Sequence, residues 1–329
     1  MNDTILHVEN LHTSFTSAKE TVEILRGVHF DVRRGRTLSI VGESGCGKSM
    51  TVHSVLQLLP ASGKVTEGKS IYTFADGKQA DLQTMERYGR EIRAIRGKEI
   101  GIIFQDPMAS LNPVYTVGAQ IIENLRQHEN IGKKEAMERA VEMLSYLGIP
   151  EARQRVNEYP HQFSGGMKQR VMIAIAMICN PQLLIADEPT TALDVTIQAQ
   201  IMDLMKRLQR DENKSIILIT HNMGLVAEMA DDIAVMYMGE VIESGSAEQI
   251  FERPAHPYTR ALMQSVPVLG MESGKRLSSI AGQTPAPDEV GEGCAFAPRC
   301  PYACADCAAR VPDAMVEEGH MCKCIRKGE

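Results

Sequence analysis

The chain has 329 residues, of which 43% are hydrophobic and 23% charged, with a formal net charge of −7. That length suits one large core plus an extension, and the negative balance gives no global pull toward nucleic acid or anionic lipid. The longest apolar run, 171–179, stops at Asn180-Pro181, short of the about 18–20 residues a spanning helix needs, and MNDTILHVEN lacks the basic start and apolar stretch of a signal peptide, which places the chain in the cytosol.

Residues 4–11 (TILHVENL) alternate apolar and polar like an edge strand. A second strand-like stretch runs over 21–33 and ends at the turn Arg34-Gly35. Residues 37–50 (TLSIVGESGCGKSM) read as a strand, a Gly-rich loop and the start of a helix. IGIIF (100–104) is another buried strand, and 133–148 has helical spacing. LLIAD (183–187) and SIILIT (215–220) are short apolar runs, the pattern of parallel strands covered on both faces. Helical patterns at 167–179 and 195–210 lie beside them, so strand and helix alternate and the fold class is α/β. After about residue 250 the composition shifts to Pro, then to a Gly/Pro/Ser-rich linker over 270–293, then to cysteine. Cys46 and Cys179 stand alone, whereas Cys294, Cys300, Cys304, Cys307, Cys322 and Cys324 crowd together; in a reducing compartment such a cluster reads as metal binding before disulfides.

Gly42-Glu43-Ser44-Gly45-Cys46-Gly47-Lys48-Ser49 fits G-x-x-x-x-G-K-[ST] at every fixed position, between a strand and a helix as the motif requires. The glycines let successive N–H groups face a phosphate, and the helix adds its positive end. Lys48 should reach the β- and γ-phosphates and Ser49 should ligate Mg²⁺, with Met50 completing the nucleotide contacts. Asp187 and Glu188 end an apolar strand. Asp187 would hold Mg²⁺ through water, and Glu188 would polarise the attacking water.

Ser164-Gly165-Gly166-Met167-Lys168-Gln169-Arg170 resembles the signature of the ABC ATPases, with Met167 where Gln is usual. Gln105 stands at the family's Q-loop position, Ala192-Leu193-Asp194 at its D-loop, His221 at its switch histidine, and Phe15 where an aromatic ring stacks on adenine. The resemblance implies a P-loop (RecA-like) core with an antiparallel β subdomain, and a helical subdomain at about 107–163 that docks membrane subunits. It also implies head-to-tail dimers in which each ATP lies between the phosphate loop of one subunit and the Ser164 helix of the other, with Gln105 joining Ser49 and Asp187 at Mg²⁺.

Residues 105–113 (QDPMASLNP) and 253–262 (RPAHPYTRAL) further resemble the oligopeptide, dipeptide and nickel importer branch. That branch implies a nucleotide-binding domain over 1–250 and an extension over 251–329. It implies a second ATPase subunit (a heterodimer ahead of a homodimer), two permease subunits, an extracytoplasmic solute-binding protein, and a peripheral place on the cytoplasmic face of the inner membrane, without nucleic acid. A soluble ABC ATPase acting on nucleic acid or ribosomes is the alternative; that class usually carries two ATPase halves or a long coiled coil. Cys294-x5-Cys300-x6-Cys307 resembles the branch's iron–sulfur motif, and His320 points to Cys324 as fourth ligand of a [4Fe–4S] cluster, with Cys322 a competitor. Cys304-x2-Cys307 also suits zinc.

Overall fold

A computed structural model describes residues 3–17, 20–191, 193–264, 280, 282–309 and 311–326. Ala192 of the D-loop stretch, and residues 270–279 and 281 of the linker, lie outside the described residues. In chain order the strands are β1 (Thr4–Thr16), β2 (Thr21–Arg33), β3 (Thr37–Val41), β4 (Gly63–Thr73), β5 (Gln79–Asp81), β6 (Ile100–Ile103), β7 (Leu183–Asp187), β8 (Ser215–Thr220), β9 (Asp232–Tyr237), β10 (Glu240–Ser246), β11 (Ala314–Glu317) and β12 (His320–Cys322). The chain forms two compact units. One comprises Met1–Arg33, Thr37–Thr84 and Thr220–Glu329; the other comprises Arg34–Arg36 and Met85–Ile219.

In the first unit β1 lies between β2 and β4, with β5 beyond, in an antiparallel sheet. β1, read as an edge strand, is therefore central; its alternation buries Leu6 and Val8 and, past a register shift, Leu11 and Thr13, with Ile5 buried as well. A second ribbon runs β11-β12-β10-β9-β3, antiparallel except for β3 beside β9. β9 and β10 are joined by Met238-Gly239, both at positive φ (46° and 80°), as a tight hairpin of this hand requires. Residues on both sides of position 250 share this unit and one core. Phe296, 2% exposed, packs edge-on against Tyr237 and Tyr258 at 5.4 and 5.3 Å, in a cluster with Val41 and Ile250. The extension thus shares its core with the residues before position 250.

A buried carboxylate holds the same region together. Glu243 in β10 is 1% exposed; it accepts the backbone N–H groups of Ala255 (2.6 Å) and His256 (2.9 Å) and bonds His320 Nε2 at 2.7 Å. Three partners offset the desolvation that an unpaired buried carboxylate would suffer.

The second unit carries the parallel strands β8, β7 and β6 in that order. Gly101 in β6 is required by a close helix, since a Cβ there would come within 2.6 Å of the Ala176 carbonyl oxygen. The segment 107–163 is mainly helical, built on Val117–His128 and Lys133–Tyr146, and the first of these is capped by Thr116, whose hydroxyl accepts from the Ala119 N–H.

His256 Nδ1 accepts the Tyr258 N–H at 3.0 Å, so this nitrogen is unprotonated, and burial lowers the imidazole pKa to about 4. The unfolded chain, with histidine near about 6.5, binds the proton first. Stability from this site should be full above about pH 6.5 and fall toward pH 4, by up to about 1.4 kcal/mol per pH unit. Urea unfolding across that range should show a smaller pH slope for His256→Gln than for the parent; equal slopes would refute the assignment.

Candidate active site

The phosphate loop follows β3 in the first unit. A Cβ at Gly42 would lie 2.3 Å from the Met236 carbonyl oxygen, so backbone passes backbone there. Gly45 and Gly47 take positive φ (82° and 104°), and Gly47 caps the helix Lys48–Val55. The β9–β10 turn steadies the loop from below. Gly239 donates its N–H to the Cys46 carbonyl at 2.9 Å, and its own carbonyl accepts from the Arg26 N–H at 2.9 Å. Lys48 is 6% exposed and donates from Nζ to the carbonyl oxygens of Gly42 (2.8 Å) and Glu43 (2.9 Å). The cationic head is thus held at the loop. Burial pushes the Cys46 thiol pKa up, so this cysteine packs as an apolar filler. Ser49 lies in the first turn of the helix, Met50 follows it half-buried, and Ser44 and Gly45 are exposed at the loop tip.

Phe15 stands near the end of β1, half-buried beside Gly63 of β4, where a Cβ would meet its ring at 2.8 Å. His221 is exposed directly after β8, with Asn222 capping the helix Met223–Met229.

The second unit gathers the acidic half. Asp187 closes β7 and is 2% exposed. Glu188 follows at φ 45°, with its N–H bonded to the Ile219 carbonyl at 2.9 Å. A positive φ at a non-glycine residue stores strain, and Pro189 next in the chain disfavours compact backbone still further. Two donors converge on one Glu188 carboxylate oxygen, Gln105 Nε2 and the Thr191 hydroxyl, each at 2.9 Å. Donation from Nε2 leaves the Gln105 amide oxygen as its acceptor end, the atom able to ligate Mg²⁺. The hydroxyl of Ser49, the carboxylate of Asp187 and this amide are all hard oxygen donors of the type Mg²⁺ takes. Thr191 was not anticipated; its place three residues after Glu188 is the only sequence signal for it.

Ser164 caps the helix Gly165–Met177, its hydroxyl accepting from the Met167 N–H at 3.3 Å. The two glycines differ. A Cβ at Gly165 would meet nothing closer than Leu193 at 3.6 Å, whereas one at Gly166 would lie 2.5 Å from Ile197 Cγ2. Ile197 lies in the first turn of the helix Val195–Asp211, which Asp194 caps by accepting the Ile197 N–H at 3.0 Å. Asp194 therefore positions the helix against which the signature glycine packs.

Among the cysteines, Cys294 donates its N–H to the Cys307 carbonyl at 2.8 Å, and the sulfurs of Cys304 and Cys307 lie 3.7 Å apart. Cys294 and Cys300 each feel the charge of Cys307 and Cys324, and burial raises both of their thiol pKa values. Cys322 is buried, its pKa raised by desolvation and by Glu243. Among the described residues no group of three or more His, Cys, Asp or Glu side chains is arranged to hold a metal ion. The Cys304–Cys307 pair, expected as a possible zinc corner, therefore lacks its further ligands there.

A glycine-rich loop that runs from a buried strand into a helix and holds a buried lysine has the form of a P-loop. Residues 25–191 match the family described as ABC transporter, and residues 242–307 match the oligopeptide/dipeptide transporter C-terminal region. The dipeptide transport ATP-binding protein DppD of Bacillus subtilis is 49% identical over 322 residues, covering 97% of this chain and 94% of its own. The oligopeptide transport ATP-binding protein AppD of the same organism is 48% identical, covering 98% and 96%. A dimeric ATP-binding cassette solved in a post-hydrolysis state with ADP and Pi superposes with a TM-score of 0.64 at 28% identity, over 73% of this chain and 98% of that one. The chain belongs to the ABC transporter family and is an ATP-hydrolysing subunit of it. Among the described residues no helix is long and apolar enough to cross a membrane.

Gly166→Ala should destabilise the chain by about 1–3 kcal/mol, because the stiff Ile197 side chain cannot swing away. Gly165→Ala should leave the denaturation midpoint unchanged or raise it. Urea titrations of both variants check this, and equal destabilisation would contradict the contact geometry.

Proposed function

We propose that this chain drives the import of di- or oligopeptides as one of two ATPase subunits on the cytoplasmic face of the cell membrane. The observation that carries this reading is the near-full-length similarity to dipeptide and oligopeptide transport ATP-binding proteins, together with the match over 242–307. The partners are a second ABC ATPase, two membrane permeases and, indirectly, an extracytoplasmic solute-binding protein. Residues 1–250 would serve nucleotide binding and 251–329 would form the branch-specific extension. Met108, Val114 and Tyr115 are exposed apolar side chains shortly after Gln105, and they suit docking of a permease by the 107–163 segment.

In the proposed cycle Phe15 stacks on adenine, and residues 42–50 hold the triphosphate, with Lys48 at the β- and γ-phosphates. Ser49, Asp187 and Gln105 hold Mg²⁺, which neutralises charge on the phosphates when bound. Glu188, kept in place by Gln105 and Thr191, takes a proton from the attacking water while His221 contacts the γ-phosphate. Ser164, Gly165, Gly166 and Met167 of the partner subunit close over the same nucleotide, with Asp194 setting the helix behind them. Loss of the γ-phosphate removes the bridge and the dimer opens.

Glu188→Gln should lower ATP hydrolysis by about 10²–10⁴-fold while ATP still binds, because the amide cannot take a proton. Phosphate release and nucleotide binding would be measured on the purified subunit, and dipeptide uptake in proteoliposomes with the cognate permeases and binding protein. Hydrolysis at the parent rate would remove Glu188 from the role of base, and uptake of another solute class alone would refute peptide import.

We also propose that Cys294, Cys300, Cys307 and Cys324 hold a [4Fe–4S] cluster. Support comes from the Cys294-x5-Cys300-x6-Cys307 spacing and from the backbone bond that holds Cys294 against Cys307. Anaerobically purified protein should contain iron and acid-labile sulfide in equal amounts, and Cys324→Ser should lose both. Stoichiometric zinc without sulfide would overturn the assignment.

A further inference from the structure

The phosphate-loop motif asks nothing of its second residue, yet the Glu43 carboxylate is held by side chains from the far end of the chain. Arg299 grips its carboxylate as a fork, with Nη1 on Oε2 at 2.6 Å and Nη2 on Oε1 at 3.0 Å. Thr284 adds a hydroxyl at 3.4 Å, and the backbone N–H of Glu43 donates to the Tyr258 hydroxyl at 2.8 Å. All three partners come from the extension, more than 200 residues away in sequence. Arg299 itself is held firmly: its side chain is 5% exposed, it donates to the Tyr237 hydroxyl at 3.2 Å, and its guanidinium lies over the rings of Tyr237 and Phe296 at 5.9 and 6.0 Å.

The consequence for nucleotide binding is electrostatic as well as steric. A carboxylate inside a loop built to receive a triphosphate opposes the ligand's charge. A bidentate guanidinium neutralises it and fixes its direction. The carbonyl of the same residue is also one of the two that hold the Lys48 ammonium, so a shift of Glu43 is passed to Lys48. Arg299 closes the turn Ala297–Arg299, between Cys294 and Cys300, where its N–H bonds the Phe296 carbonyl at 2.9 Å. The order of the cysteine-rich segment therefore determines whether the fork is presented.

We propose that Arg299 is a positioning residue for ATP binding, acting through Glu43, and that Tyr258 assists it by holding the loop backbone. By linkage, ATP bound at the loop must stabilise the segment that carries Arg299 to the same extent.

The test is ATP affinity of the full chain, measured by calorimetry with Mg²⁺ present, alongside thermal unfolding without nucleotide. Arg299→Gln should weaken ATP binding by about tenfold. Its KM should rise while kcat at saturating ATP changes by less than about twofold. Because the damage is an uncompensated carboxylate, Glu43→Gln placed in the Arg299→Gln background should recover most of the affinity. A purely structural role for Arg299 predicts no such rescue. Arg299→Lys keeps the charge but loses the fork, and keeps the test open should Arg299→Gln fail to fold; a loss of more than about twofold is expected. Binding by Arg299→Gln or Arg299→Lys within about twofold of the parent, or a folded Arg299→Gln that Glu43→Gln does not rescue, overturns the proposal. The parent chain's own ATP binding is the control that separates this outcome from a failure of the ATPase reading.

Discussion

Backbone crossing backbone at Gly42 is the constraint on which the nucleotide loop depends. The chain leaves β3 so close to β9 that even a methyl group would collide with the Met236 carbonyl. From that crossing the loop turns through Gly45 and Gly47 and is caught by the N–H of Gly239. Two separate stretches of sequence thus cooperate to hold open a concave set of amides that neither could maintain alone. What the loop gives up is side-chain packing of its own, and neighbouring elements supply the rigidity.

The acidic half solves the opposite problem. There one residue, Glu188, is forced into a backbone region it does not favour, and it is kept there by bonds from Gln105 and Thr191 and by its own N–H donating to the Ile219 carbonyl. Strain of about 1–3 kcal/mol at such a residue persists only where the surroundings over-determine it. β7 and β8 provide that surrounding, because both are buried along their whole lengths and cannot readily shift.

Most of this was legible before any coordinates. The strands 21–33, 183–187 and 215–220 match in full, since apolar runs between polar boundaries have few alternative readings. Helix 133–148 ends at Tyr146, within the usual fraying distance. β4 and β5 were not read, because their residues are mixed in polarity and β4 pairs with the distant β1; β9, an apolar run, and its hairpin to β10 were local signals that went unread. Local motifs identified Lys48, Asp187 and Glu188, each in a stereotyped setting. Arg299 could not be found this way: an arginine between cysteines carries no local signal, and its partner lies at the far end of the chain. The reading of 251–329 as an appended segment followed composition, which cannot reveal that Phe296 shares a core with Val41.

The Glu243 network has a further implication for how this protein can be divided. β10 contributes a carboxylate whose charge is matched by backbone from 255–256 and by a histidine from the last strand. Cutting the polypeptide anywhere between these points would strand an anion among apolar side chains, a defect worth about 3–5 kcal/mol. A division of the chain at residue 250, where the composition shifts, thus cuts through one buried network rather than between two independent parts.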